Sequence, residues 1–360
     1  MTPLAAQLQA RIAAHGPITF RDFMDAALYD PAHGYYASGR AAIGRRGDFI
    51  TNVSVGALFG RLLARQFAEM WERLGAPDSW CIVEQGAHRA EFARDVLEGL
   101  REFSPACFAA TRYLIIEPMD AMRGPQMQAL SGLPVEWHSS LEELAPFSGV
   151  HFSNELLDAF PIHLLAKRNG RWVERYVDCA GETFIFCDGP LSDLRLAAYV
   201  AALDAPDGFV TEVNLAALDW LSALSTNIER GYVLAIDYGY PREQFLERDA
   251  GTLSAYSGHA REPDPLARPG DIDLTAHVEF TSLIEHAELL GFRLGGFTDQ
   301  HRFMVRASRL HFRENAIAPE ELRAFKTLMH PALLGAAFKV VCFEKGLGEP
   351  EPLTGFARGQ

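Results

Sequence analysis

Apolar residues along this chain fall into two rhythms: short unbroken runs closed by turn residues, and longer stretches in which they recur at three- and four-residue intervals. The first rhythm predicts buried strands and the second helices, because strand side chains alternate faces while helix side chains return every 3.6 residues. Strand-like runs lie at 81–85, 111–116, 134–137, 150–153, 232–236, 291–297 and 337–343. Helices are expected between most of them, one over 321–334. Near the start, Leu4, Leu8 and Ile12 keep helical spacing up to the stop signal His15-Gly16-Pro17. Strands that alternate with helices predict an α/β fold with a seven-stranded, mostly parallel sheet and helices on both faces.

Two interruptions break that alternation. Residues 161–230 carry an antiparallel hairpin at 170–177 and 182–187 and helices near 194–202 and 214–230, an insertion expected to overhang the carboxyl end of the sheet as a substrate cap. Residues 241–270, rich in Pro, Gly and charge, read as a long ordered loop or a mobile lid. The expected organisation is an N-terminal helical and loop extension over 1–75 and the first half of a core over 76–160. The cap at 161–230, the second half of the core at 231–346 and a tail at 347–360 follow.

Composition narrows the function. The chain has 360 residues, 48% hydrophobic, and a formal net charge of −14 from 47 acidic against 33 basic residues. So acidic a surface argues against nucleic acid as partner and is compatible with a basic peptide. Five cysteines without a Cys-x-x-Cys pair indicate neither a disulfide framework nor a zinc site. The twelve histidines show no ligand spacing, so no metal is expected. With no apolar run of bilayer length and no charged-then-apolar leader, a cytoplasmic location without membrane insertion is expected. A homodimer stays open.

Candidate chemistry begins at 81–97, CIVEQGAHRAEFARDVL, which reads as a strand, a glycine turn and a helix. Gly86 lets backbone pass close to a ligand, and the helix near Ala90 turns its unpaired N–H groups toward the same place. The second strand, TRYLII at 111–116, is followed by Glu117, where an α/β sheet puts the acid that takes two ribose hydroxyls. The positions after Gly86 are Ala87, His88, Arg89 and Ala90, so the Gly-x-Gly-x-x-Gly cradle for a pyrophosphate is missing. That argues against a nicotinamide dinucleotide and toward an adenosine ligand without phosphates, of which S-adenosyl-L-methionine is the common one. Seven strands then suit a class I methyltransferase (Rossmann-like) core, whose last strand reverses direction at the sheet's edge.

Seven motifs in order carry a more specific signal: PITF at 17–20 with Phe23-Met24, YDPAHGYY at 29–36, IGRRGDFIT at 43–51, NELLDAFP at 154–161, IDYGY at 236–240, GTLSAY at 251–256 and DLTAHV at 273–278. Together they resemble the MidA-like family of S-adenosylmethionine-dependent methyltransferases, whose mitochondrial members act in respiratory complex I assembly by methylating a protein arginine. The resemblance implies a protein substrate with an accessible arginine. It implies that Gly47, Asp48 and Thr51 belong to a loop over the cofactor and that Glu84, Gly86 and Ala87 form the first turn. Glu117 takes the ribose position, Ser140 and Leu141 the turn beside adenine, and Asn154 starts the segment facing the reacting methyl. One departure stands out: Arg89-Ala90 occupy the place of the family's last glycine, where a β-carbon would crowd the helix start or force a different φ. A non-catalytic assembly factor that kept the fold is the alternative.

A guanidinium is a poor nucleophile, and carboxylates held against two of its nitrogens localise charge there and enrich the third. Glu155 and Asp158, three apart after the fourth strand, would share a face if their segment is helical, and are the expected clamp. Asp237, at the end of the fifth strand, is the third candidate catalytic group, with Glu212 next in line. Tyr238 or Tyr240 could wall the channel, and Asp273 and His277, four apart, could pair near the lid.

Overall fold

The structure, a computed structural model, describes residues 2–37, 52–201, 203–257, 260–314, 318–348 and 351–357. It divides into two compact units, and the division differs from the one expected. The first unit combines Met1–Phe49, Leu157–Asp219 and Tyr240–Ser282; the second combines Ile50–Leu156, Trp220–Gly239 and Leu283–Gln360. The first 49 residues of the expected extension, most of the cap and the long loop are therefore one unit, and the rest of the extension belongs to the other.

The second unit holds the large sheet. Seven of its eight strands are β1 (Trp80–Gln85), β2 (Thr111–Ile116), β3 (Val135–His138), β4 (Phe147–Asn154), β5 (Ile228–Tyr240), β6 (Arg293–Asp299) and β7 (Phe338–Lys345), and the short Val278–Glu279 also pairs with β5. The seven hydrogen-bond in the order β6-β7-β5-β4-β1-β2-β3. The five from β5 to β3 are mutually parallel, and β7 runs antiparallel to both of its neighbours. The reversed strand is thus one place in from the edge, inserted between β5 and β6, rather than at the edge itself. Each central strand is buried on both faces, which is why the sequence shows unbroken apolar runs instead of alternation.

Three helices of this unit are α1 (Leu58–Arg73), α2 (Glu91–Phe103) and α3 (Asp120–Ala129). Assigned from sequence to the extension, α1 packs instead against α2 in the core. Two glycines permit the approach: a Cβ built on Gly60 would stand 2.5 Å from Asp95 Cβ, and one on Gly99 3.1 Å from Ala64 Cβ. Phe59, Phe67, Phe92 and Phe152 pack as an aromatic cluster beneath them, Phe92 stacking on Phe152 at 4.3 Å between ring centroids. The helix expected over 321–334 is Pro319–Met329; it stops at His330 because the following Pro331 disfavours helical backbone there.

The first unit has its own core, in which Phe20, Phe23, Met24 and Leu28 of the helix Phe20–Tyr29 pack with Ile162, Leu164, Val177 and Leu274. A five-stranded antiparallel sheet includes the expected hairpin, Arg171–Ala180 paired with Thr183–Gly189, together with His163–Arg168 and Val210–Val213. The stretch at 241–270 is not a bare loop: Ser254–Ser257 pairs antiparallel with Ala260–Glu262 on one side and Asp273–Thr275 on the other.

Candidate active site

β1 delivers Glu84 and Gln85 to the carboxyl end of the sheet, and the chain then turns through alternate left-handed residues: Gly86 at φ 84°, His88 at φ 45° and Ala90 at φ 61°. Ala90 takes the backbone conformation a glycine would have taken, and its N–H closes the turn on the Ala87 carbonyl at 2.6 Å. The β-carbon expected to crowd the helix start is fully buried in the core, so the departure from the glycine pattern is accommodated by strain rather than by a different turn. α2 begins immediately afterwards with no side-chain cap on its first amides. Those N–H groups are suited to a carboxylate such as the one on a methionine moiety. At Gly86 a Cβ would meet only Leu156, at 3.6 Å, so the turn could make room but only in a strained backbone.

The Glu84 carboxyl is buried and accepts the Tyr113 hydroxyl at 2.7 Å. Burial pushes it up to about 7, and the tyrosine bond only partly opposes that. Next to it, Gln85 Oε1 accepts Trp220 Nε1 at 2.9 Å and lies 3.3 Å from His151 Nε2. Burial drives that histidine down to about 3, leaving it neutral.

At the end of β2 the Glu117 carboxylate is 7% exposed and has one donor on each oxygen: the Met119 backbone N–H on Oε1 at 3.0 Å, and Gln126 Nε2 on Oε2 at 2.8 Å. Burial raises its pKa and these bonds oppose the rise. A carboxylate offers about four acceptor positions, so two vicinal hydroxyls can still be received. Arg123 ties the ends of β2 and β3 together, donating to the Glu117 carbonyl at 2.9 Å and to Ser139 Oγ at 2.5 Å. Beyond Ser139, the Ser140 hydroxyl bonds the Glu142 carboxylate and holds its pKa below the usual value, while Leu141 is buried with its carbonyl accepting Asn227 Nδ2 at 3.1 Å.

The end of β4 is built around a chain of amides. Gln300 Nε2 donates to Asn52 Oδ1 at 2.7 Å, Asn52 Nδ2 to Asn154 Oδ1 at 2.7 Å, and Asn154 Nδ2 to Glu155 Oε1 at 2.8 Å. Glu155 itself is left-handed, at φ 54°. Its N–H donates to the Ile236 carbonyl at 2.9 Å, and that of Leu156 to Asp237 Oδ2 at 3.1 Å. Asp237, 1% exposed, also accepts the Tyr238 N–H at 2.8 Å. These two bonds fasten the Glu155 turn to the end of β5.

The helical pairing of Glu155 with Asp158 is not present. Residues 155–160 are bends and turns, because the left-handed Glu155 and its tie to β5 take the chain out of helical geometry. Glu155 lies in the second unit and Asp158 in the first. There the Asp158 carboxylate accepts Thr275 Oγ1 at 2.9 Å, and burial pushes it up to about 6. Glu212, also in the first unit, accepts the backbone N–H groups of Thr252 and Leu253 at 2.6 and 2.7 Å, which makes it a loop anchor. Tyr240 and His277 meet ring to ring at 5.3 Å, and Asp273 lies 3.5 Å from the Tyr36 hydroxyl. Gly47, Asp48 and Thr51 lie outside the described residues. Tyr113, Gln126, Asn52 and Gln300 carry no signal in the sequence, where each is a solitary polar residue whose partners belong to other elements.

A glycine turn, an uncapped helix start and a buried acid after the second strand together fit S-adenosyl-L-methionine. The family model described as "Putative S-adenosyl-L-methionine-dependent methyltransferase" matches residues 62–298. The chain belongs to this methyltransferase family. A solved structure of a "likely methyl transferase" from Burkholderia thailandensis, bound to S-adenosyl-homocysteine, is 33% identical with a TM-score of 0.89, the match covering 99% of this chain and 95% of that one. Among curated relatives, the Drosophila melanogaster protein named protein arginine methyltransferase NDUFAF7 homolog, mitochondrial, is 28% identical over 98% of this chain and 88% of its own length. The Homo sapiens protein arginine methyltransferase NDUFAF7, mitochondrial, is 26% identical over 94% and 82%. This methyltransferase therefore has the class I fold and the cofactor expected from its sequence, and it is an enzyme by family.

Proposed function

We propose that this methyltransferase transfers a methyl group to a guanidinium nitrogen of an arginine in a protein substrate. The observation that carries the reading is the near full-length similarity to relatives named protein arginine methyltransferases. S-adenosyl-L-methionine supplies the electrophilic sulfonium methyl, and the protein's share is alignment and charge. Glu117 takes the ribose hydroxyls, and the first amides of α2 take the methionine carboxylate. Glu155 receives two guanidinium N–H groups, withdraws positive charge toward them, and leaves the third nitrogen richer in electrons as it meets the methyl. One proton leaves the methylated nitrogen as the new N–C bond forms and passes to water, while the Glu155 carboxylate stays on the other two nitrogens. Asn154 and Asp237 keep that carboxylate aimed, Asn154 through its side-chain bond and Asp237 through the backbone of Leu156.

The test is transfer itself. Purified protein is incubated with methyl-labelled S-adenosyl-L-methionine and protein extract, and the labelled products are digested to amino acids and identified by mass spectrometry. Label in methylarginine is expected. Label confined to another side chain, a small molecule or RNA would overturn the arginine reading.

A further inference from the structure

Gln126 is a fully buried polar side chain on α3, and every one of its bonds joins parts of the cofactor end of the sheet. Its Nε2 donates one hydrogen to the His88 carbonyl at 2.8 Å and the other to Glu117 Oε2 at 2.8 Å, while its Oε1 accepts the Trp137 indole N–H at 3.0 Å. Only one orientation of the amide satisfies this set, because two acceptors face one end and a donor-only indole faces the other. The indole thus fixes which way the amide points, and the amide fixes both the first turn and the acid.

His88 is the residue for which this matters most. It holds a left-handed backbone without being glycine, in a turn where Ala90 does the same, and its carbonyl is captured by Gln126. A backbone in a sparsely populated region persists only where its surroundings over-determine it. The same side chain that holds the turn supplies one of two donors that keep the Glu117 carboxylate oriented after burial. Losing that donor would leave a buried oxygen unpaired, free to rotate or to take up a proton.

We infer that Gln126 is a positioning residue of the cofactor site: it aims the Glu117 carboxylate at the two ribose hydroxyls and holds the His88 turn in register with it. This rests on the ribose role proposed for Glu117. The residue takes no part in the transfer step, and its effect is on which nucleoside the site prefers.

The experiment measures, by calorimetry, the affinity of the whole protein for S-adenosyl-homocysteine and for its 2′-deoxyadenosine counterpart, in wild type, Gln126→Met, Trp137→Phe and Glu117→Gln. Wild type should prefer the ribose form by about tenfold or more, the worth of a hydrogen bond to a charged group. Gln126→Met keeps the volume and loses both donors, and it should erase most of that preference. Trp137→Phe, which frees the amide to rotate, should reduce it by a smaller factor and serves if Gln126→Met does not fold. Affinity falling for both ligands with the preference intact, in whichever of these two variants folds, overturns the inference and leaves Gln126 a packing residue. An unchanged preference in Glu117→Gln instead removes the ribose reading beneath it.

Discussion

Ala90 donates its backbone N–H to the Ala87 carbonyl across 2.6 Å while holding φ at 61°, so a residue with a β-carbon closes a turn of the kind glycine usually closes. The left-handed backbone costs an alanine about 1–2 kcal/mol relative to glycine. Against this stand the unfolded-state entropy of glycine, about 0.4–1 kcal/mol, and the buried methyl, about 0.8 kcal/mol.

Because these contributions nearly cancel, Ala90→Gly should leave stability within about 1 kcal/mol of wild type. Affinity for S-adenosyl-homocysteine should change by well under a factor of ten, since the turn already has the required shape. Ala90→Val should be destabilising by more than about 2 kcal/mol, from a β-branched side chain both left-handed and overpacked. Urea midpoints for the two variants check the contrast; a large gain in affinity with Ala90→Gly would mean the turn is distorted in the wild type.

The buried Glu84 carboxyl gives stability a pH dependence of defined sign. Its folded pKa is raised to about 7 from an ordinary 4.5, so the stability it carries is fully present below about 4.5 and is lost as pH rises toward 7. The total is on the order of 3 kcal/mol. Glu84→Gln keeps the acceptor for Tyr113 and removes the titration. The variant should therefore gain stability over wild type at pH 8 and lose that advantage at pH 5, measured as melting temperature across the range. A parallel pair of curves would contradict the burial of an ionisable group at this position.

Sheet spacing at the start of β4 and β5 depends on two glycines. A Cβ on Gly231 would stand 1.9 Å from the Gly149 carbonyl oxygen, and one on Gly149 2.0 Å from that of Cys81. Backbone atoms cannot yield as a side chain can, so Gly231→Ala and Gly149→Ala should each cost about 3 kcal/mol or more, or prevent folding. Gly124→Ala, in α3 with no atom beyond its chain neighbours within 4 Å of its Cβ, gains helix propensity but precedes Pro125, which disfavours helical backbone for a residue with a β-carbon, so it should instead stay within about 1 kcal/mol of wild type. Denaturant unfolding of the three variants distinguishes a steric requirement from a general dislike of alanine.

The strands were legible because each is a short apolar run, and the acid and glycine that follow β1 and β2 in sequence also follow them in space. What the sequence hid was chosen by tertiary pairing. Gln126 sits in the unremarkable stretch DAMRGPQMQA, and its partners His88, Glu117 and Trp137 come from three other elements. Ser254–Ser257 and Ala260–Glu262 lack the apolar alternation of a strand and exist through pairing in a small sheet. Glu155 and Asp158 show the opposite case: their three-residue spacing suits a helix, but Glu155 turns left-handed under ties to Ile236 and Asp237 that no local pattern records.

The proposed function puts cofactor binding on Glu117 and the first turn and transfer on Glu155, and one variant tests the separation. Glu155→Gln keeps the shape and the Asn154 contact but removes the charge a guanidinium needs. Single-turnover methyl transfer to protein arginine should fall at least about a hundredfold, in line with about 3 kcal/mol of lost charge-assisted bonding. S-adenosyl-homocysteine binding by calorimetry should stay within about a factor of two. Transfer at the wild-type rate, or an equal loss in transfer and in binding, would contradict it.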